Sequence, residues 1–196
     1  MVTPRRRSSP LRAAWEGAVR AHRGTLTAPP GFSGFLLPGE SLTLGATVDG
    51  VDVTATTSAD GDGTTEIMAT TDGGDLPPLT LVPGHPGLLA RLRGWRPAGP
   101  LLAHGFSLRC EDDGAAEAWL SREIAGWSAV AGYRVSVGHG GVRAWRSGVE
   151  EAPERLDAAL RATAARARRH GDLAVAGAAA AAALGGRGER LDDWRS

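Results

Sequence analysis

The order of local patterns along the chain predicts an α+β fold. It has a mainly antiparallel sheet, made of an N-terminal four-strand meander, a later strand and a β-hairpin, packed by about four helices. Three observations carry this expectation. Leu42, Leu44, Ala46 and Val48 alternate up to Asp49-Gly50, and Val51, Val53 and Ala55 alternate away, as two strands joined by a two-residue type I′ turn would. Tyr133, Val135 and Val137 alternate up to Gly138-His139-Gly140-Gly141, and Val142 to Arg146 returns, which predicts a second hairpin through a four-residue turn. Directly behind it, Leu156, Ala159, Leu160, Thr163, Ala164 and Ala167 recur at helical spacing, so a narrow apolar stripe is available to bury the hairpin's apolar face.

Taken in order, residues 1–10 hold three arginines, two serines and two prolines and read as a disordered arm. Residues 11–170 read as one α+β domain, and 171–196 as an Ala/Gly-rich tail, helical in part. Leu11, Trp15, Ala18, Val19 and His22 share a helical face, with Gly24 as the stop and Trp15 docking the helix on the domain. Residues 25–40, rich in Pro and Gly, are expected to be loop. After the first hairpin, a third strand is expected at Thr64 to Thr71 behind Asp60-Gly61-Asp62-Gly63, and a fourth around Leu79 to Val82. Pro86 suits the first turn of a helix whose buried stripe would be Leu88, Leu89, Leu92 and Trp95. Phe106, Leu108 and Cys110 alternate as a strand. Asp112 and Asp113 would cap a helix with Ala116, Trp119, Leu120, Ile124 and Trp127 on one side.

Composition narrows the function classes. Net charge is zero, from 22 arginines, no lysine and 22 acidic residues, which removes the bulk electrostatic argument for nucleic acid. Without lysine, Schiff-base chemistry has no side chain to use. The charges are unevenly spread: residues 1–23 carry six arginines against Glu16, and residues 24–90 carry eight acidic residues and no basic one. An N-terminal arginine arm binding nucleic acid weakly is the third reading of function; a solvated tail explains the same residues. One cysteine, Cys110, rules out an intrachain disulfide. No apolar run approaches the ~20 residues of a membrane span, and no apolar segment follows the basic start, so the expected location is cytoplasmic.

No catalytic motif emerges: the five histidines have no ligand-like spacing, and no nucleophile elbow, Walker loop or dinucleotide fingerprint is present. Asp60, Asp62 and Glu66 are oxygen donors, but a solvated hairpin turn wants acidic residues beside glycine for backbone reasons. Cys110, on a face with Phe106 and Leu108, reads as a small core residue. Catalytic residues, metal ligands and cofactors are therefore none. The remaining feature is a recurring arginine–tryptophan pairing. If Val142 and Ala144 face inward with Val135 and Val137, then Arg143 and Trp145 face outward, with Arg134 opposite Trp145 and able to stack on it. Exposed Trp and Arg are what interaction hot spots are made of, so Arg134, Arg143 and Trp145 are the candidate binding residues. The competing arrangement has helix 153–169 covering that face and making it core. The leading expectation is a non-enzymatic module that binds a protein partner or a second copy of itself. The alternative is an enzyme or small-molecule-binding domain drawing on His104, His139, Cys110 and the acidic turns.

Overall fold

Asp49 and Gly50 both take positive φ, 50° and 82°, the pair of left-handed residues a type I′ turn requires. That turn sets Val48 against Val51, Ala46 against Val53 and Leu44 against Ala55, the register expected from the alternation. In the computed structural model, residues 9–70, 78–97, 106–110, 132–138 and 140–188 are described. The elements are α1 (Pro10–His22), β1 (Thr25–Thr27), β2 (Ser41–Val48), β3 (Val51–Ser58), β4 (Thr64–Thr70), β5 (Leu79–Pro83) and α2 (Leu88–Leu92). They continue with β6 (Arg96–Pro97), β7 (Phe106–Cys110), β8 (Arg134–Gly138), β9 (Gly141–Ser147) and α3 (Pro153–Gly188).

The nine strands form one sheet in the order β1-β2-β3-β4-β9-β8-β5-β7-β6, with every pair antiparallel. The expected four-strand meander is corrected here. β2, β3 and β4 are consecutive neighbours, but β4 pairs with β9, and β5 pairs with β8 and β7. Two- and five-residue turns hold β2, β3 and β4 together. Residues 71–78 are eight residues, long enough to reach the ~14 Å across three strand spacings, so adjacency is not imposed there. The late hairpin β8–β9 inserts in the middle, and long-range pairing completes the sheet. β1 and β6, only three and two residues long, lie at its edges, β1 where loop was expected.

The sheet has two unlike faces. Val51, Val53, Ala55, Ile67, Ala69, Val142, Ala144, Val135, Val137 and Leu81 are buried on one, where α1 packs on β2 and α3 on β3, β4 and β9. The other carries Thr43, Thr47, Asp52, Thr54, Thr56, Glu66, Met68, Arg143, Trp145, Arg134 and Ser136, none of them buried. Period-two alternation sorts the residues cleanly because only one face is covered.

Among the described residues there are three helices, not about four; the helix expected over residues 116–127 lies outside them. α1 starts at Pro10 rather than after it, capped by Ser9, whose hydroxyl accepts from the Arg12 amide at 3.2 Å. Of its expected face, Leu11, Trp15 and Ala18 are buried, Trp15 fully so, while Val19 and His22 are partly buried. The whole expected stripe of α3, Leu156 to Ala167, is buried, and its alanines let the helix lie close on β3, β4 and β9. α3 then continues through Gly188, so the expected tail is helical over most of its length. It holds arginines and acids along its course, and no helix among the described residues is long and apolar enough to cross a membrane. The stripe expected for α2 is overturned: Leu88, Leu89 and Leu92 are 77, 73 and 77% exposed. Periodicity correctly marked them as one side of a helix, but among the described residues nothing packs on that side.

Candidate functional site

The open face is built outward from the close approach of β4 and β9. A Cβ on Gly141 would come 2.6 Å from the Ala69 carbonyl oxygen, so glycine is what lets the two strands meet at that end. The register then sets Glu66 across from Trp145 and Met68 across from Arg143. On the other side of β9, Arg134 of β8 stands directly across from Trp145, as the hairpin pattern predicts.

Arg143 grips Glu66 with two nitrogens, Nε at 2.6 Å from Oε1 and Nη2 donating to Oε2 at 2.9 Å. A forked guanidinium–carboxylate pair fixes the plane of both groups. Thus held, the Arg143 guanidinium lies over the Trp145 ring, 5.2 Å from its centroid. The stacking cation is therefore Arg143, two residues away on the same strand face, whereas Arg134 is the cross-strand neighbour. The competing arrangement for Trp145 is settled in favour of an open face. α3 packs on the Val142 and Ala144 side, where those residues are 2 and 0% exposed, while Trp145 is half-buried and Arg134 and Arg143 are exposed. Met68, 47% exposed, extends the patch along β4.

Beside the patch lies an open hollow of about 500 Å³, floored by short residues. Gly138 and Gly141 face each other across β8 and β9, and Ser136 and Thr80 add only hydroxyls. Met68, Pro78 and Arg143 stand around them as the rim.

A second cluster escaped the sequence reading. The Glu150 carboxylate is completely buried, yet every oxygen is occupied. Oε1 accepts from the Ala152 amide at 3.1 Å and from Arg155 Nε at 3.1 Å, and Oε2 from Arg146 Nη1 at 2.9 Å and the Tyr133 hydroxyl at 3.4 Å. Its backbone is tied as well: the amide donates to Thr65 Oγ1 at 2.9 Å, and the carbonyl accepts from Trp15 Nε1 at 3.1 Å. Burial pushes the Tyr133 phenol well above its ordinary range, and the Glu150 charge adds to that against the opposing pull of Arg146. Saturated and sealed, this carboxylate is a joint between α1, β4, β9 and the start of α3. It offers no reactive position to a substrate.

The pieces named for an enzyme do not assemble. His104 and His139 lie outside the described residues. Cys110 is partly buried against the core and takes an N–H from Arg96 Nη2 at 3.2 Å. Asp60 accepts from the Gly39 amide at 2.7 Å, in a turn on the far side of β4, and Glu66 is engaged by Arg143. Among the described residues, no three His, Cys, Asp or Glu side chains converge in a metal-ligand arrangement. The arm arginines Arg5, Arg6 and Arg7 also fall outside the described residues. No protein-family model, no curated protein and no solved structure matches this chain.

Proposed function

We propose that the chain is a non-enzymatic binding module that engages a protein surface, a second copy of itself foremost, through the open face of β4, β9 and β8. The observation that carries this reading is Trp145. It is half-exposed on the uncovered side of the sheet, held flat under Arg143, with Glu66 on one flank and Arg134 on the other. An aromatic anchor whose rotamer is already fixed loses little entropy on contact, as hot-spot residues require. The two flanks carry opposite charge. A two-fold axis passing near Trp145 therefore brings Arg134 of one copy towards Glu66 of the other, the self-complementarity an isologous dimer needs. Zero net charge leaves little repulsion to oppose such pairing. A lone thiol in Cys110 fits the cytoplasmic location proposed with this function.

Sedimentation of wild type and Trp145→Ala over a wide concentration range tests the proposal. Association should weaken by ~2 kcal/mol or more, about 30-fold in dissociation constant. Folding should lose only ~1 kcal/mol, the worth of an exposed cation–π contact. A chain that is monomeric throughout, or a variant that associates as wild type does, contradicts the reading.

A second reading rests on the hollow beside the patch. Its about 500 Å³ falls within the range of small-ligand sites, and its hydroxyl-lined floor suits a compact polar molecule. Ligand-induced perturbation confined to Ser136, Thr80 and Met68 in a spectrum of the dilute monomer would favour it over self-association.

A further inference from the structure

The edge of the sheet formed by β5, β7 and β6 carries a feature that the binding face does not use. Between β5 and β6 the chain rises into α2, whose leucines Leu88, Leu89 and Leu92 are each about three-quarters exposed, at 77, 73 and 77%. A single exposed leucine is ordinary; three on one short helix form a patch. The helix is anchored from below. Pro86 is buried, its carbonyl accepts from Arg91 Nε at 3.2 Å, and the Ser107 hydroxyl donates to the Gly84 carbonyl at 2.6 Å. The leucines are thus held out from a fixed base.

The charged residues of the segment that carries them have one sign. From residue 76 to residue 110 there is no Asp or Glu, while Arg91, Arg93, Arg96 and Arg109 all fall there. Arg91 and Arg93 are exposed beside the leucines, and Trp95, half-buried, sits at the foot of the helix. Asp49, Asp52, Asp60 and Asp62 belong to β2, β3 and their turns, with β4, β9 and β8 between them and β5. Arginines of α1 and α3 also lie over the acidic strands, so the sheet is not divided by sign, but the charge beside the leucines is positive and an anionic plane would attract it.

We propose that α2 is a membrane-surface anchor: its three leucines enter the headgroup–acyl boundary of an anionic bilayer while Arg91 and Arg93 meet the lipid phosphates. The chemistry matches an interfacial element, with apolar side chains at the tip, arginines at headgroup level and an aromatic ring at the base. Helix length argues against a protein groove as the occupant. Five residues span about 7.5 Å, too short to lay anchors at the i, i+3, i+4 and i+7 positions by which an amphipathic helix fills a groove. A bilayer needs no such length from a wedge. This surface shares no residue with the Trp145 patch and does not depend on the function proposed for it.

The test is co-sedimentation of the full chain with vesicles of phosphatidylcholine alone and of phosphatidylcholine with about a third phosphatidylglycerol. Wild type should bind the anionic vesicles at least tenfold better than the neutral ones. The triple variant Leu88→Ser, Leu89→Ser, Leu92→Ser should lose at least tenfold on anionic vesicles while melting as wild type does. It keeps every arginine, so undiminished binding would assign the attraction to charge elsewhere, the N-terminal arm included, and overturn the proposal. Failure of wild type to bind anionic vesicles would overturn it too. A lower melting temperature in the variant would mean the leucines are covered within the fold, and a changed sedimentation coefficient would mean they seat on a second copy; either result overturns it.

Discussion

Glu150 shows how one residue can fix a fold without leaving a trace in the local sequence. It stands beside Glu151 and four positions before Glu154, yet Glu150 alone is sealed, with Arg146, Arg155, Tyr133 and the Ala152 amide around its oxygens. A buried ion pair adds little net stability over an apolar replacement of the whole cluster, because desolvation consumes most of the attraction. Removing one partner is different, since the opposing charges stay behind. Glu150→Gln should cost ~3 kcal/mol of folding free energy, measured by denaturant unfolding; Arg155, 62% exposed, can turn to water, but Arg146 at 24% cannot readily do so. A cost under ~1 kcal/mol would show that the cluster is not a joint. The sequence gives no sign of this because its partners come from positions 15, 65, 133, 146 and 155. Trp145 is the opposite case. Its outward direction follows from counting by twos from Val142, so it was legible from a few neighbours alone.

At the scale of elements, α1 and α3 are held together by packing and by one polar contact. His22 Nε2 lies 2.6 Å from Asp157 Oδ1, and Arg161 Nε donates to the other oxygen at 3.0 Å. Burial by itself would raise the Asp157 pKa, but the hydrogen bonds from Arg161 and His22 outweigh it and hold the carboxyl below its ordinary range. A carboxylate with a depressed folded-state pKa contributes stability above its unfolded value, roughly pH 4, and loses it as pH falls through the folded value. Asp157→Asn should therefore lower the melting temperature at neutral pH and converge on wild type in acid. A constant difference across that range would mean the contact acts by shape alone.

Which elements were legible follows from how local their causes are. The β2–β3 hairpin is specified by its own Asp-Gly turn and by two alternating runs, and it forms as expected. α3 is specified by a stripe that needs only a flat apolar partner. β1 and β6, three and two residues long, are too short to show any period and exist only as additions to a neighbour. The position of β5 depends on which strand its edge meets after a long connection, a choice made by tertiary pairing. The α2 stripe reads as amphipathic in either case; whether anything covers it is a property of the rest of the molecule.

Among the described residues, the molecule is a single sheet covered by helices on one side and open on the other. The covered side explains its stability: α1 and α3 bury the alternate residues of β2, β3, β4 and β9 in one layer. The open side explains why Arg143, Glu66, Trp145 and Arg134 are arrayed in register with nothing above them among the described residues. Sheets with one solvated face are common, but a solvated face is normally polar throughout. Here the threonines of β2 and β3 fit that rule, and Trp145 and Met68 break it at the centre of the sheet. That break is the reason for assigning a binding role to this face. Hydroxyl-radical labelling of the chain, compared between dilute and concentrated solution, tests it most directly. If the open face closes on a second copy, modification of Trp145 and Met68 should fall several-fold on concentration, while Phe35, 71% exposed in the loop before β2, should label equally in both. Labelling of Trp145 and Met68 that stays constant while the chain associates would place the contact elsewhere and contradict the assignment.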